Sequence, residues 1–209
     1  MRTHTYFISD VHLGAPSVRE SQERERALVS FLKHIETDCK QLFIVGDLFD
    51  YWFEYKHVVP RGHTRVLGQL ALMVDAGLKL DIFVGNHDLW MGNYLEEELG
   101  ATVHHGPLKW SPNDGTTSFY LAHGDGIGPG DRKYKALKKL FTNPIAIWAY
   151  KRLHPNFGVG FAARMSRTSR NSQSDDDHAF KGEKERQLVH SKTVLEQEWF
   201  DYFIYGHRH

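Results

Sequence analysis

Cysteine is nearly absent: Cys39 is the one copy in 209 residues, so no disulfide can close within the chain. That suits a reducing compartment. Cys39 stands between a helical stretch and a strand and is read as an inert thiol rather than a nucleophile. A single thiol argues against a structural zinc knot. The sequence has no apolar run of the ~18 residues that a membrane span requires. The N-terminus, MRTHTYFISDVHLG, lacks the apolar centre of a signal peptide, so a soluble cytoplasmic protein is expected. Charge of one sign is missing too, with 26 Lys+Arg against 26 Asp+Glu. A nucleic-acid-binding protein is expected to present a broad basic surface, and this balance does not supply one. There is no internal repeat.

Histidine is plentiful, with 14 copies against four Met. These are scattered along the chain rather than bunched as a tag, and imidazole in such numbers points to metal ligation or proton transfer. A length of 209 residues fits one domain, here read as residues 1–209 with 131–170 inserted as a separate helical element.

Apolar patterning alternates strand and helix. Tyr6-Phe7-Ile8, Leu42-Phe43-Ile44-Val45 and Asp81-Ile82-Phe83-Val84 read as buried strands. Between them, residues from about 21 to 36 and from about 63 to 76 carry apolar side chains at helical spacing. This is the pattern of an α/β unit. Residues 102 to 122 read as shorter, turn-rich strands, 182 to 197 as a helix, and Tyr202 to Tyr205 as a last strand. The segment 131–170 predicts two or three short helices broken at Asn143-Pro144 and His154-Pro155, and the polar stretch from Ser169 to Asp177 predicts a flexible loop.

Five polar motifs recur, each behind an apolar strand: Asp10-Val11-His12, Gly46-Asp47-Leu48-Phe49-Asp50, Gly85-Asn86-His87-Asp88, His123-Gly124-Asp125 and Gly206-His207-Arg208-His209. Any one of them alone would most often be a surface turn. Taken together they place imidazole and oxygen ligands at five strand ends, and ligands of open α/β sheets bind beyond the carboxyl ends of the strands. Imidazole with carboxylate suits manganese, iron or zinc rather than calcium.

The five blocks, in this order, resemble the calcineurin-like metallophosphoesterases. The resemblance implies a β-sandwich flanked by helices and two divalent metal ions. By position, Asp10, His12, Asp47 and His209 would hold one ion and Asp47, Asn86, His123 and His207 the other, Asp47 bridging. His87 would be no ligand but a proton donor to the phosphoryl or leaving-group oxygen, oriented by Asp50. Family members continue beyond the last motif, so a sequence ending at His209 is expected to be a truncated form.

A narrower resemblance rests on Gly46 to Trp52, on Asp131 and Tyr134, and on Ala162-Ala163-Arg164-Met165-Ser166-Arg167 with Ser169. These look like the UDP-2,3-diacylglucosamine diphosphatases of lipid A biosynthesis, which cleave a pyrophosphate to lipid X and UMP, usually with manganese. The inserted helices would then be a lid over the acyl chains, with Asn86, Asp131, Tyr134, Arg164 and Ser169 facing the substrate. The segment 131–170 carries Ile145, Ile147, Trp148 and Phe161 with ten Lys/Arg against one acidic residue, which suits contact with a nucleotide-linked lipid at the inner-membrane surface. Well-studied members of that subfamily carry Arg where this chain has His87; Arg supplies a fixed charge and His a titratable proton. A phosphodiesterase acting on a soluble substrate and a non-catalytic binding scaffold therefore stand as alternatives. Retention of every ligand together with His87 and Asp50 speaks against the scaffold.

Overall fold

The computed structural model describes residues 2–112, 115–130, 132–162 and 180–208. Its strands are β1 (His4–Ile8), β2 (Cys39–Ile44), β3 (Lys79–Phe83), β4 (Thr102–His104), β5 (Leu108–Trp110), β6 (Phe119–Ala122) and β7 (Tyr202–Tyr205). Its helices are α1 (Val18–Ile35), α2 (Thr64–Asp75), α3 (Tyr94–Leu99), α4 (Arg132–Phe141), α5 (Pro144–Tyr150) and α6 (Arg186–Leu195), and residues 155–162 are helical as well. The stretch 169–177, expected as a loop, lies outside the described residues.

The strands form two sheets rather than the single open sheet that the strand–helix alternation suggests. Strands β1 to β4 pair in sequence order, all parallel, and β5-β6-β7 form a second sheet in which β6 runs antiparallel to β5 and parallel to β7. Successive side chains along a strand point to opposite faces. In β2 this sends Leu42 and Ile44 outward, against Leu28, Leu32 and Ile35 of α1 and Val66, Leu70 and Met73 of α2. It sends Phe43 inward, where it joins Phe83 and Val45 against Leu121, Trp110, Phe119 and Ile204 of the other sheet. A strand buried on both faces must read as a continuous apolar run, as Leu42 to Val45 does. Val194 of α6 packs on Tyr120, Ala122 and Phe200 and covers the far face of the second sheet. The result is a helix–sheet–sheet–helix sandwich, the fold that the calcineurin-like resemblance implies.

Local differences from the sequence reading have identifiable causes. Helix α1 begins three residues early because Ser17 caps it: the Ser17 hydroxyl accepts from Glu20 N at 3.3 Å and donates to the Glu20 carboxylate at 2.5 Å. Helix α3 has only six residues, two of them buried (Leu95 and Leu99), too short for periodicity to reveal. The stretch expected as one helix over 182–197 divides at Glu185 into a 3-10 turn (Gly182–Lys184) and α6. Cys39 opens β2 and is fully buried, and burial pushes its thiol up to about 11. Among the described residues no helix is long and apolar enough to cross a membrane.

Candidate metal centre

The loops after β1, β2, β3, β6 and β7 meet at one edge of the sandwich. Four of the residues they carry adopt the left-handed conformation that only glycine enters freely: Asp10 (φ 55), His12 (φ 49), Asp47 (φ 53) and His207 (φ 68). Each such residue costs about 1–3 kcal/mol, and clusters of them mark functional sites. The loops hold one another through the backbone. Asp10 N donates to Gly46 O at 3.1 Å and His12 N to Asp47 O at 3.0 Å. His207 N donates to both Asp10 carboxylate oxygens, at 3.0 and 2.9 Å.

The glycines of the motifs make this approach feasible. A Cβ on Gly46 would collide with the His123 ring, one on Gly85 with Asp47, and one on Gly206 would stand 2.6 Å from Val45 O. Gly-Asp, Gly-Asn and Gly-His therefore pair a ligand-bearing residue with the only residue small enough to precede it there.

Asp47 stands at the centre, 1% exposed. Its Oδ2 is 3.3 Å from His123 Nε2 and 3.9 Å from His12 Nε2, and His12 Nε2 is 3.9 Å from Asp10 Oδ1. Asn86 Oδ1 lies 3.1 Å from His123 Nε2. Potential ligand atoms of Asp47, His123 and His207 fall within 4.8 Å of one another, as do those of His12, Asp47 and His87. Ligands about 2.0–2.2 Å from one ion stand roughly 3–4 Å apart, so the side chains fit two ions sharing Asp47. The second group differs from the ligand set implied by the resemblance by including His87. His209 lies outside the described residues, as do Asp131, Arg164 and Ser169.

Electrostatics also suit metal. Burial lowers His12 to about 4 and lowers His207, which keeps both rings neutral as ligands require. Burial opposes charge on Asp47 and His123 alike, but the two groups overcome it mutually. Together with the His87 and His12 rings, His123 holds Asp47 well below the usual carboxylate range, and Asp47 raises His123 to about 9. His123 Nδ1 donates to Val45 O at 2.9 Å, which turns Nε2 to the cluster, where a bound metal would take the place of the Nε2 proton.

His87 sits beside the cluster, its backbone N–H donating to Asp47 Oδ1 at 2.9 Å. Its ring Nδ1 faces Asp50, 3.4 Å from Oδ1 and 3.3 Å from the backbone oxygen. Burial opposes the charged ring, yet the nearby Asp50 and Asp47 carboxylates outweigh it and raise its pKa.

Three side chains that support the site were not picked out from the sequence. Asp88 is fully buried, accepts from Gly85 N at 2.7 Å and Phe49 N at 3.3 Å, and so ties the Asp47 loop to the Asn86 loop. Its burial and the Asp47 charge push it up to about 7. Arg24 of α1 donates to His12 O at 2.9 Å. Asp125 accepts from two residues of α4 and, although burial opposes its charge, Lys138 holds it below the usual range. Asp88 and Asp125 sit inside the quoted motifs, and that is the signal that could have found them.

Next to the cluster opens a cavity of about 600 Å³, with Asp50, Asn86 and His87 at its polar end. Leu137, Leu140, Ile147, Tyr150 and Phe161 are among the residues that line the rest. Of the four apolar side chains singled out in the inserted segment, Ile147 and Phe161 face this cavity. Ile145 and Trp148 lie on the outer surface, 75% and 59% exposed, with the Arg152 guanidinium 4.7 Å over the Trp148 ring. Tyr134 borders the cavity while its hydroxyl donates to Asp125 at 2.5 Å.

No family model matches the chain. It is 39% identical to a UDP-2,3-diacylglucosamine hydrolase of Porphyromonas gingivalis, over 100% of this chain and 84% of that protein. It is 27% identical to one of Edwardsiella ictaluri, over 98% and 75% of the two chains. Among solved structures, a protein of unknown function from Aquifex aeolicus aligns over 66% of this chain and 71% of its own, at 17% identity and a TM-score of 0.41. A phosphoesterase from E. coli aligns over 60% and 59%, at 20% identity and a TM-score of 0.32.

Proposed function

The chain belongs to the family of UDP-2,3-diacylglucosamine hydrolases, and from that premise we propose that it cleaves the pyrophosphate of UDP-2,3-diacylglucosamine to lipid X and UMP. It is a metal-dependent phosphoesterase. The observation that carries the substrate is the junction of a compact Asp/His/Asn cluster with an apolar cavity of about 600 Å³. A diphosphate flanked by a sugar bearing acyl chains needs both.

Asp10, His12 and Asp47 hold one divalent ion in this reading, with His209 as a further ligand, and Asp47, Asn86, His123 and His207 hold the other. Manganese fits the imidazole and oxygen donors, as do iron and zinc. Such ions, when bound, supply Lewis acidity at the phosphoryl oxygens and a water acidic enough to act near neutral pH. The chain's own residues do the rest. Asp50 orients the His87 ring through Nδ1, so Nε2 is the nitrogen that delivers a proton to the departing oxygen. Leu137, Ile147 and Phe161 take the acyl chains out of water, at about 0.8 kcal/mol per buried methylene. Ile145 and Trp148, flanked by Lys151 and Arg152, rest on the headgroup region of the bilayer from which the lipid is drawn.

Assaying the purified protein with manganese on UDP-2,3-diacylglucosamine beside an aryl phosphodiester tests the reading. Cleavage of the aryl diester alone would instead make it a phosphodiesterase of soluble substrates, in line with His87. Ile147→Glu, which puts a charge on the cavity wall, is expected to raise KM for the diacylated substrate at least tenfold, since even two or three lost methylene contacts amount to about 2 kcal/mol. The aryl diester reaches only the metal end, and its kcat/KM should hold within about a factor of two. An unchanged KM for the lipid would remove the cavity from the substrate site.

A further inference from the structure

Between His123 and α4 the chain alternates glycine with other residues, and Gly124, Gly126, Gly128 and Gly130 all have positive φ, at 98°, 65°, 69° and 90°. Close packing adds to this: a Cβ on Gly124 would stand 2.6 Å from Gln187 Nε2, one on Gly126 would crowd the Tyr134 ring at 3.0 Å, and one on Gly128 would stand 2.8 Å from the Arg186 backbone oxygen. This strap returns the chain so that α4 lies over the loop carrying His123. Asp125, two residues beyond His123, is 7% exposed and meets α4 there. Its Oδ2 accepts from Tyr134 Oη at 2.5 Å and from Lys138 Nζ at 2.6 Å. Tyr134 and Lys138 are four residues apart and share one helical face.

Helix α4 has ten residues, none of them buried. A helix that short is marginal in water by itself, and no core burial fixes this one in place. Its position must come from a few tethers. Trp90 Nε1 donates to Phe141 O at 2.8 Å at the far end of the helix. From the same last turn Lys138 makes a charge-assisted contact to Asp125, of a type roughly twice as strong as neutral hydrogen bonds.

We propose that Asp125 and Lys138 form a latch that sets α4 against the metal loop, and that they are positioning residues that decide specificity for long-chain substrates rather than the hydrolytic step. The latch joins the element forming one cavity wall to the loop bearing a candidate metal ligand. It rests on the reading of that cavity as the acyl site only for its effect on the lipid substrate.

The test uses the full chain loaded with manganese. Lys138→Met keeps the stem and removes the charge; it is expected to raise KM for UDP-2,3-diacylglucosamine about tenfold, the loss associated with one charged hydrogen bond. Its kcat on an aryl phosphodiester should stay within twofold and its manganese content should not change. Chymotrypsin, which does not cut at lysine, should cleave within residues 132–152 about tenfold faster than in the wild type. Lys138→Arg should restore both readouts. The double variant Asp125→Asn/Lys138→Met should be no worse than Lys138→Met alone, as expected for two partners of one contact. Unchanged KM and unchanged proteolysis in Lys138→Met would overturn the latch. Equal loss on both substrates with loss of manganese would also overturn it, because the pair would then support His123 and not the lid. If the wild type fails on the lipid, the substrate reading falls, and the proteolysis comparison alone decides the latch.

Discussion

Asp47→Ala is expected to lower kcat/KM on any phosphoester by roughly three orders of magnitude or more, since two-metal hydrolysis needs both ions clamped at one separation. Asp47 is the residue common to both groups of potential ligands. Its carboxylate also accepts the His87 backbone N–H at 2.9 Å, so removal loosens the Asn86-His87 turn along with the ligands. Asp47→Asn keeps that hydrogen bond and the shape, and loses the charge that holds His123. Metal analysis of the two variants separates the effects: both should bind fewer than two ions per chain. Two tightly bound ions and near wild-type turnover in either would refute the shared-carboxylate reading.

His87→Ala should reduce turnover by roughly 10²- to 10⁴-fold, the usual contribution of a positioned acid or base, and leave the metal content unaltered. The competing outcome is specific. The His87 ring lies close enough to His12 and Asp47 to offer a ligand atom to the same ion, and the His12 and His87 ring centroids are 4.7 Å apart. Loss of one ion in His87→Ala would therefore make His87 a ligand and leave the leaving-group proton without a donor in this scheme. Asp50→Asn discriminates further, because Asp50 belongs to neither group of potential ligands. If His87 moves a proton, this variant should cut turnover too, by misorienting the ring and removing the carboxylate that favours its protonated form.

Much of the fold could be read in the apolar runs, because Leu42 to Val45 and Ile82 to Val84 must be buried on both faces to be so uniformly apolar. Which sheet a strand joins could not. Phe119-Tyr120-Leu121 and Tyr202 to Tyr205 look like the other strands, and only pairing places them in a second sheet. The strand-end motifs brought Asp10, His12, Asp47, Asn86, His123 and His207 to notice because ligands at strand ends recur in a detectable order. Asp88 and Asp125 stand in the same motifs, but a motif does not say that their carboxylates serve backbone and helix partners rather than an ion. Helix α5 shows a further limit. Pro144-Ile145-Ala146-Ile147-Trp148 is apolar nearly all round, so periodicity gives no inner face, and Ile145 and Trp148 turn out to point away from the cavity that Ile147 lines.

The burial of Cys39 bears on how the inserted helices can be watched. Its thiol is fully shielded at the start of β2 and burial pushes it up to about 11, so in the native state maleimide chemistry finds no partner. The chain therefore serves as a cysteine-free background without a single change to its core. A thiol placed at Lys133, exposed on α4, would be the sole site to take up a fluorophore or spin label. The response of the inserted helices to added lipid could then be followed on the intact protein, with the dye outside the cavity.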